Sequence, residues 1–219
     1  MPETIRILIV DDHAVVRKGL AMVLRLEEDF EVVGEAGDGQ QGVELAAELQ
    51  PDLVLIDLMM PRMDGVTATR AIRKILPAAR ILMLTGAELD ERLPDTLAAG
   101  ADGYILKDIE PEDLKVAIRA VARGESYLHP QVARLVLERS ASLSRPASQV
   151  RLTPRELEIL GWMATPMTYN EIASQLTLSE ETIRSHAKRV LRKLGQPNRV
   201  QAVLAAVRLG YIELPPEEI

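Results

Sequence analysis

The sequence predicts an α/β domain built on a doubly wound parallel sheet of five strands, followed by a smaller all-α domain of four helices. Three observations carry this. Apolar runs at 5–10, 31–36, 52–57, 80–84 and 103–106 alternate with helical patterns near 13–27, 39–49, 65–76, 94–99 and 111–124, and such alternation marks a parallel sheet covered by helices. Four of the runs end in a chemically loaded residue: ILIV runs into Asp11 and Asp12, LVLI into Asp57, ILML into Thr85 and YIL into Lys107. From residue 153 onward the punctuation is wholly helical.

Each element has its local reason. The unbroken run LVLI fits a strand buried on both faces, whereas the helix at 111–124 gathers Leu114, Ala117, Ile118 and Val121 on one stripe. In an open parallel sheet, ligands sit outside the carboxyl ends of the strands. Three acids, one hydroxyl and one ammonium therefore converge on one crevice suited to a phosphate. After Gly124 the pattern changes. Residues 130–139 have the spacing of an amphipathic helix through Val132, Leu135 and Val136, while SASLSRPASQ at 140–149 has no apolar period and reads as linker. The boundaries are 1–124, a connecting segment 125–149, and 150–219.

Thr153-Pro154-Arg155-Glu156 combines a capping box with proline at the first helical position, and Thr168-Tyr169-Asn170-Glu171 repeats the box. Ser179 opens a third helix and Pro197 a fourth. Only a tight connection around Thr177 and Leu178 separates the second helix from the third, the spacing of a helix-turn-helix. Along the third, Ile183, Ala187, Val190, Leu191 and Leu194 form one buried stripe, with Arg184, Lys188 and Arg192 on another face. A charged helix face is ordinarily just solvated, but a face placed directly after a capped helix and a tight turn is aimed at a groove.

Composition narrows the class. The 219 residues are 47% hydrophobic and 27% charged, with no cysteine. Disulfides and thiolate metal sites are thereby excluded, in keeping with a reducing cytoplasm. The apolar run near the amino terminus is only four residues long, too short for a signal peptide or membrane span, so a soluble, cytoplasmic protein that meets no membrane is expected. The net charge of −7 is segregated: −9 over residues 1–124, against +1 over 125–149 and +1 over 150–219. Arg184, Lys188, Arg189, Arg192, Lys193 and Arg199 form a basic block uninterrupted by acids, the local kind of patch that meets phosphates.

These motifs resemble a two-component response regulator of the NarL/FixJ type. The receiver part is carried by VDDH at 10–13, LIDLMMPRMDG at 55–65, MLTG at 83–86 and ADGYILKD at 101–108; the LuxR-type helix-turn-helix effector by LTPRELEIL at 152–160, NEIASQL at 170–176 and SEETIRSHAKRVLRKLG at 179–195. The resemblance implies a flavodoxin-like receiver fold and a transcription regulator rather than an enzyme. It implies Asp57 as phosphoacceptor, with Mg2+ held by Asp12, Asp57 and the Met59 carbonyl while Asp11 acts through a bound water. It also implies Thr85, Tyr104 and Lys107 as the phosphoryl-binding and switch residues. On the effector it carries base-edge contacts to Arg184, Ser185 and Lys188, and places Arg189, Arg192 and Lys193 nearer phosphates. The implied partners are a sensor histidine kinase, double-stranded DNA, a second copy of the chain on activation, and RNA polymerase.

Other readings attach to the same residues. Asp11 and Asp12 also suit a helix cap, Asp57 a strand-end turn, Tyr104 core packing, and His186 packing or a phosphate contact rather than metal ligation. Val200, Val203, Leu204 and Val207 form a stripe on the last helix that serves either a dimer contact or packing beneath Trp162. A magnesium phosphohydrolase with Asp11 as nucleophile would want an acid where His13 stands. An inert receiver would lack one of the acids, Thr85 or Lys107, and all are present. Four departures from the family pattern stand out. Pro94 makes the fourth receiver helix start late, Asp108 follows Lys107 where proline is usual, Pro166 replaces a glycine, and Glu181 puts an acid close to where DNA lies.

Overall fold

The computed structural model describes residues 4–86, 99–125, 127–129, 132, 152–165 and 167–212. The chain divides into two compact units, Met1–Gly124 and Glu125–Ile219, each taken by itself below.

The first unit contains β1 (Ile5–Val10), α1 (Ala14–Leu24), β2 (Phe30–Ala36), α2 (Gly39–Leu49), β3 (Leu53–Asp57), α3 (Gly65–Ile75), β4 (Arg80–Thr85), β5 (Gly103–Leu106) and α4 (Pro111–Ala122). Its strands run in the order β2-β1-β3-β4-β5, with every neighbouring pair parallel. This is the doubly wound order whose switch point lies between β1 and β3. The expected strands are all present to within a residue, and α1 and α4 stop short of their patterns, at Leu24 and Ala122. The expected helix at 94–99 and the linker at 140–149 lie outside the described residues, as do Pro94 and Pro166. Of the 130–139 segment only Val132 is described, and it is buried.

Right-handed crossovers send α1 to one face of such a sheet and α2 and α3 to the other. Ion pairs from α4 back to the turn that follows α1 agree with this: Arg119 meets Asp29 at 2.7 Å and Glu27 at 2.7 Å, and Lys115 meets Glu27 at 3.2 Å. Every residue of β3 is buried, as its continuous apolar run requires. Polar ends are tied down as well. Asp102 accepts from Arg73 at 2.6 Å and from the Ile81 N–H at 2.9 Å, and Asp38 caps α2 by accepting from the Gln41 N–H.

In the second unit, β6 (Tyr127–Leu128) precedes α5 (Pro154–Met163), α6 (Tyr169–Leu176), α7 (Glu180–Leu194) and α8 (Arg199–Arg208). Both expected capping boxes close, Thr153 with Glu156 and Thr168 with Glu171. The α6–α7 turn passes through Thr177 in the left-handed region, φ 54°. Ser179 caps α7, and α8 begins at Arg199 with Asn198 as its cap, two residues later than Pro197 indicates. Ile183, Ala187, Val190 and Leu194 join Ile159, Leu160 and Ile172 in one core, with Leu191 and Trp162 packed against its edge.

Candidate phosphoacceptor and nucleic-acid sites

In the first unit the strand ends meet as the sheet order demands. Asp11 follows the last residue of β1, Asp57 ends β3, Thr85 ends β4 and Lys107 follows β5. Lys107 joins them: its Nζ lies 2.7 Å from Asp57 Oδ2 and 2.9 Å from Asp11 Oδ2. Asp11 is fully buried and Asp57 nearly so. Burial is the largest influence on the Asp57 carboxyl and pushes its pKa up. Lys107 opposes that shift and Asp11 adds to it. Burial works against the Lys107 ammonium too, but its contacts with Asp57 and Asp11 more than offset it and hold its pKa above the usual lysine value.

The backbone beyond Asp57 is tightly built. Met59 N–H faces Asp57 Oδ1 at 3.4 Å, and Gly65 N–H donates to the Leu58 carbonyl at 2.9 Å. A Cβ on Gly65 would stand 2.1 Å from the Asp57 carbonyl oxygen, so only glycine lets α3 start this close to the strand end. Met59 itself is 47% exposed.

The donor set fits a hard divalent cation. Asp11 Oδ2, Asp12 Oδ1 and Asp57 Oδ2 are buried; Lys107 Nζ meets the first and the last, and His13 Nδ1 meets the second. Ligand atoms of Asp11, Asp12, His13 and Asp57 all lie within 4.8 Å of one another. Clustered carboxylate oxygens of this kind suit magnesium. His13 escaped the sequence reading as a site member. It lies 2.8 Å from Asp12 Oδ1 through Nδ1, and its place directly after the paired acids was the available signal.

Thr85 is buried and its hydroxyl donates to the Gly86 carbonyl at 3.3 Å, with no hydrogen bond to Asp57 among the described residues. Tyr104 is buried to 1% exposure, and burial pushes its hydroxyl well above the ordinary tyrosine value. Lys107 is left facing the acids while Tyr104 is enclosed, the alternation expected of the strand.

In the second unit, Ser185, Lys188, Arg189 and Arg192 are exposed on α7, and so is Glu181. Two of the expected DNA contacts are engaged internally. Lys193 Nζ pairs with the nearly buried Glu156 at 2.6 Å. Arg184 pairs with Glu180 at 2.6 Å and with the fully buried Glu125 at 2.8 Å. Nothing in the sequence flagged Glu125, a lone acid at a domain boundary.

Arg199 does not belong to the exposed basic block. It is buried, and its guanidinium donates to the carbonyls of Met163 at 2.7 Å, Met167 at 2.8 Å, Thr165 at 2.8 Å and Trp162 at 3.2 Å. It closes the end of α5 instead of facing solvent. On α8, Val200, Val203 and Leu204 are buried and Val203 sits in the helical core, so of that stripe only Val207 keeps appreciable surface. Packing accounts for Val203 directly.

Residues 7–119 match the response regulator receiver domain, and residues 150–206 match the luxR family of bacterial regulatory proteins. The chain is 41% identical to the response regulator protein VraR of Staphylococcus aureus, over 96% of this chain and 100% of that one. Among solved structures it is similar to ChrA, the response regulator of a heme-sensing two-component system, at 34% identity with a TM-score of 0.55, covering 95% of this chain and 99% of that one. It is also similar to RcsB in a structure of two RcsB dimers bound to two parallel DNAs, at 30% identity with a TM-score of 0.56, covering 95% and 98%.

Proposed function

Because the chain belongs to the two-component response regulators, with a receiver followed by a LuxR-type helix-turn-helix domain, we propose that it is a phosphorylation-switched transcription factor whose phosphoacceptor is Asp57. The observation that carries this is the Lys107 ammonium bridging Asp57 and Asp11 beside the clustered acids. An Asp57 carboxylate oxygen attacks the phosphorus of a phosphohistidine on a sensor kinase. The imidazole leaves, and an acyl phosphate remains on Asp57.

Asp11, Asp12, Asp57 and the Met59 carbonyl would hold Mg2+, which supplies positive charge against the phosphoryl oxygens. Lys107 supplies a second, fixed positive charge at the same place, so positioning and electrostatics do most of the catalytic work. Thr85 then turns its hydroxyl from the Gly86 carbonyl to the new phosphoryl oxygen, and Tyr104 follows into the space released. Two added negative charges at a strand end thus bias the packing of the unit.

The output is duplex DNA. Arg184, Ser185 and Lys188 face base edges while Arg189, Arg192 and Lys193 meet the backbone, a division in which phosphate contacts position and base contacts specify. Binding as a dimer to two half-sites is supported by the likeness to RcsB, which is bound to DNA as dimers in that structure. In the cytoplasm such a dimer would act on RNA polymerase. No helix among the described residues is long and apolar enough to cross a membrane.

The test is labelling of the full chain with a small phosphodonor in the presence of Mg2+. Asp57→Asn and Asp12→Ala should each abolish labelling while circular dichroism stays unchanged. Full labelling of a folded Asp57→Asn chain would remove Asp57 as the acceptor.

A further inference from the structure

Glu125 is the first residue of the second unit, one peptide bond beyond Gly124, which ends the first. Its side chain is fully buried, and both its oxygens are used within the helical unit. Oε1 takes the Arg184 guanidinium at 2.8 Å, and Oε2 accepts from the Tyr169 N–H at 3.1 Å. Tyr169 is the first residue of α6, where an N–H has no partner inside the helix. The Arg184 guanidinium also lies 5.7 Å from the centre of the Tyr169 ring.

This ties down the most chemically specific residue of the recognition helix. Arginine reads guanine with two parallel N–H donors, yet here Nε and a terminal nitrogen go to Glu180 at 2.9 and 2.6 Å, and a terminal nitrogen also meets Glu125. The two acids are not equivalent. Glu180 is one turn away on the same helix, partly exposed, and travels with Arg184 wherever α7 goes, so it contributes little. Glu125 comes from outside α7 and is shut away from water, so its hold on Arg184 does not travel with the helix.

Resting on the DNA-binding reading above, we propose that Glu125 is an internal competitor for DNA. Its carboxylate holds Arg184 in the resting chain, and its departure frees the guanidinium for the duplex. A carboxylate beside the arginine also repels the phosphates that flank any base step α7 reaches. Because Glu125 follows Gly124 directly, any movement of that end of the first unit reaches the latch through a single peptide link.

The experiment uses the unphosphorylated full chain and a random-sequence duplex at low salt. Glu125→Gln keeps an oxygen for the Tyr169 N–H and removes only the charge. It should bind roughly tenfold tighter than wild type, the scale of one well-placed ion pair, and Arg184→Ala in the same chain should erase the gain. Beryllofluoride, a phosphoryl mimic, should raise wild type towards the variant and leave the variant nearly unchanged. Equal affinity for folded Glu125→Gln and wild type overturns the proposal, and so does a gain that survives Arg184→Ala. If the variant does not fold, wild type carries the test: the Tyr169 amide resonance should move when duplex is added, and a stationary resonance overturns it. Absence of duplex binding by every form, with or without beryllofluoride, overturns the DNA reading itself and the latch with it.

Discussion

Single residues set both the chemistry and the clock of the acidic pocket. Asp57 lies almost wholly beneath the surface while Met59, two residues on, is 47% exposed at its mouth. On the proposed reading of Asp57 as phosphoacceptor, water that hydrolyses its acyl phosphate would approach across that rim, and a thioether can neither accept its proton nor hold its orientation. Since general-base help or water positioning is worth about a hundredfold or more, the unassisted rim implies a slow decay of phosphorylated Asp57. Met59→Asn, which adds an amide able to orient water, should shorten the lifetime of labelled protein by roughly tenfold or more. An unchanged decay in the folded variant would show that the rim has no kinetic role.

At the scale of elements, Arg199 shows where a sequence stops being readable. The capping boxes of α5 and α6 were legible because each is local, a Thr and a Glu three residues apart. The buried stripe of α7 was legible because its spacing repeats. Arg199 looked like one more cation in a basic run, and only the return of the chain against the end of α5 reveals four carbonyls waiting for it. Each such bond to a charged donor is worth about 1.5 to 3 kcal/mol, and their loss takes that donor from four carbonyls at once. Arg199→Leu should destabilise the helical unit by about 3 kcal/mol or more, seen as a lowered midpoint of that unit alone in thermal unfolding. A loss of DNA affinity without a stability change would return Arg199 to the surface patch. Exposed Arg192 should behave in the opposite way. Its change to alanine should leave stability intact, weaken all duplexes alike and reduce the salt slope by about one unit. A weakening confined to one sequence would make it a base contact.

Over the whole molecule the acids of the two units do different work, although net charge per segment was plain from the sequence alone. In the first unit three carboxyls are held below their ordinary values. The Arg119 and Lys115 hydrogen bonds lower Glu27 from 4.5, Arg119 lowers Asp29 from 3.8, and the Gln41 N–H lowers Asp38 from 3.8. In the second, burial tends to raise Glu156, but Lys193 and the Thr153 backbone outweigh it and hold it below 4.5. A carboxyl whose folded pKa is depressed lends stability that is fully present above its unfolded value and is lost as pH falls through the folded one. Asp57, pushed up mainly by burial, works in the reverse sense and is relieved on acidification. With three depressed carboxyls against one among the described residues, the first unit should lose its melting temperature more steeply than the second as the pH drops below about 4.5. The pair Glu27→Gln and Asp29→Asn isolates the cause, because Arg119 then faces neutral partners at every pH while Lys115 keeps only its pairing with Glu112 on its own helix. Thermal unfolding of the doubly substituted chain should show a flatter acid limb for the first unit and no change for the second. Parallel acid limbs in wild type and variant would mean that these surface pairs, screened by solvent, carry none of the pH dependence and that acid unfolding begins elsewhere in the sheet.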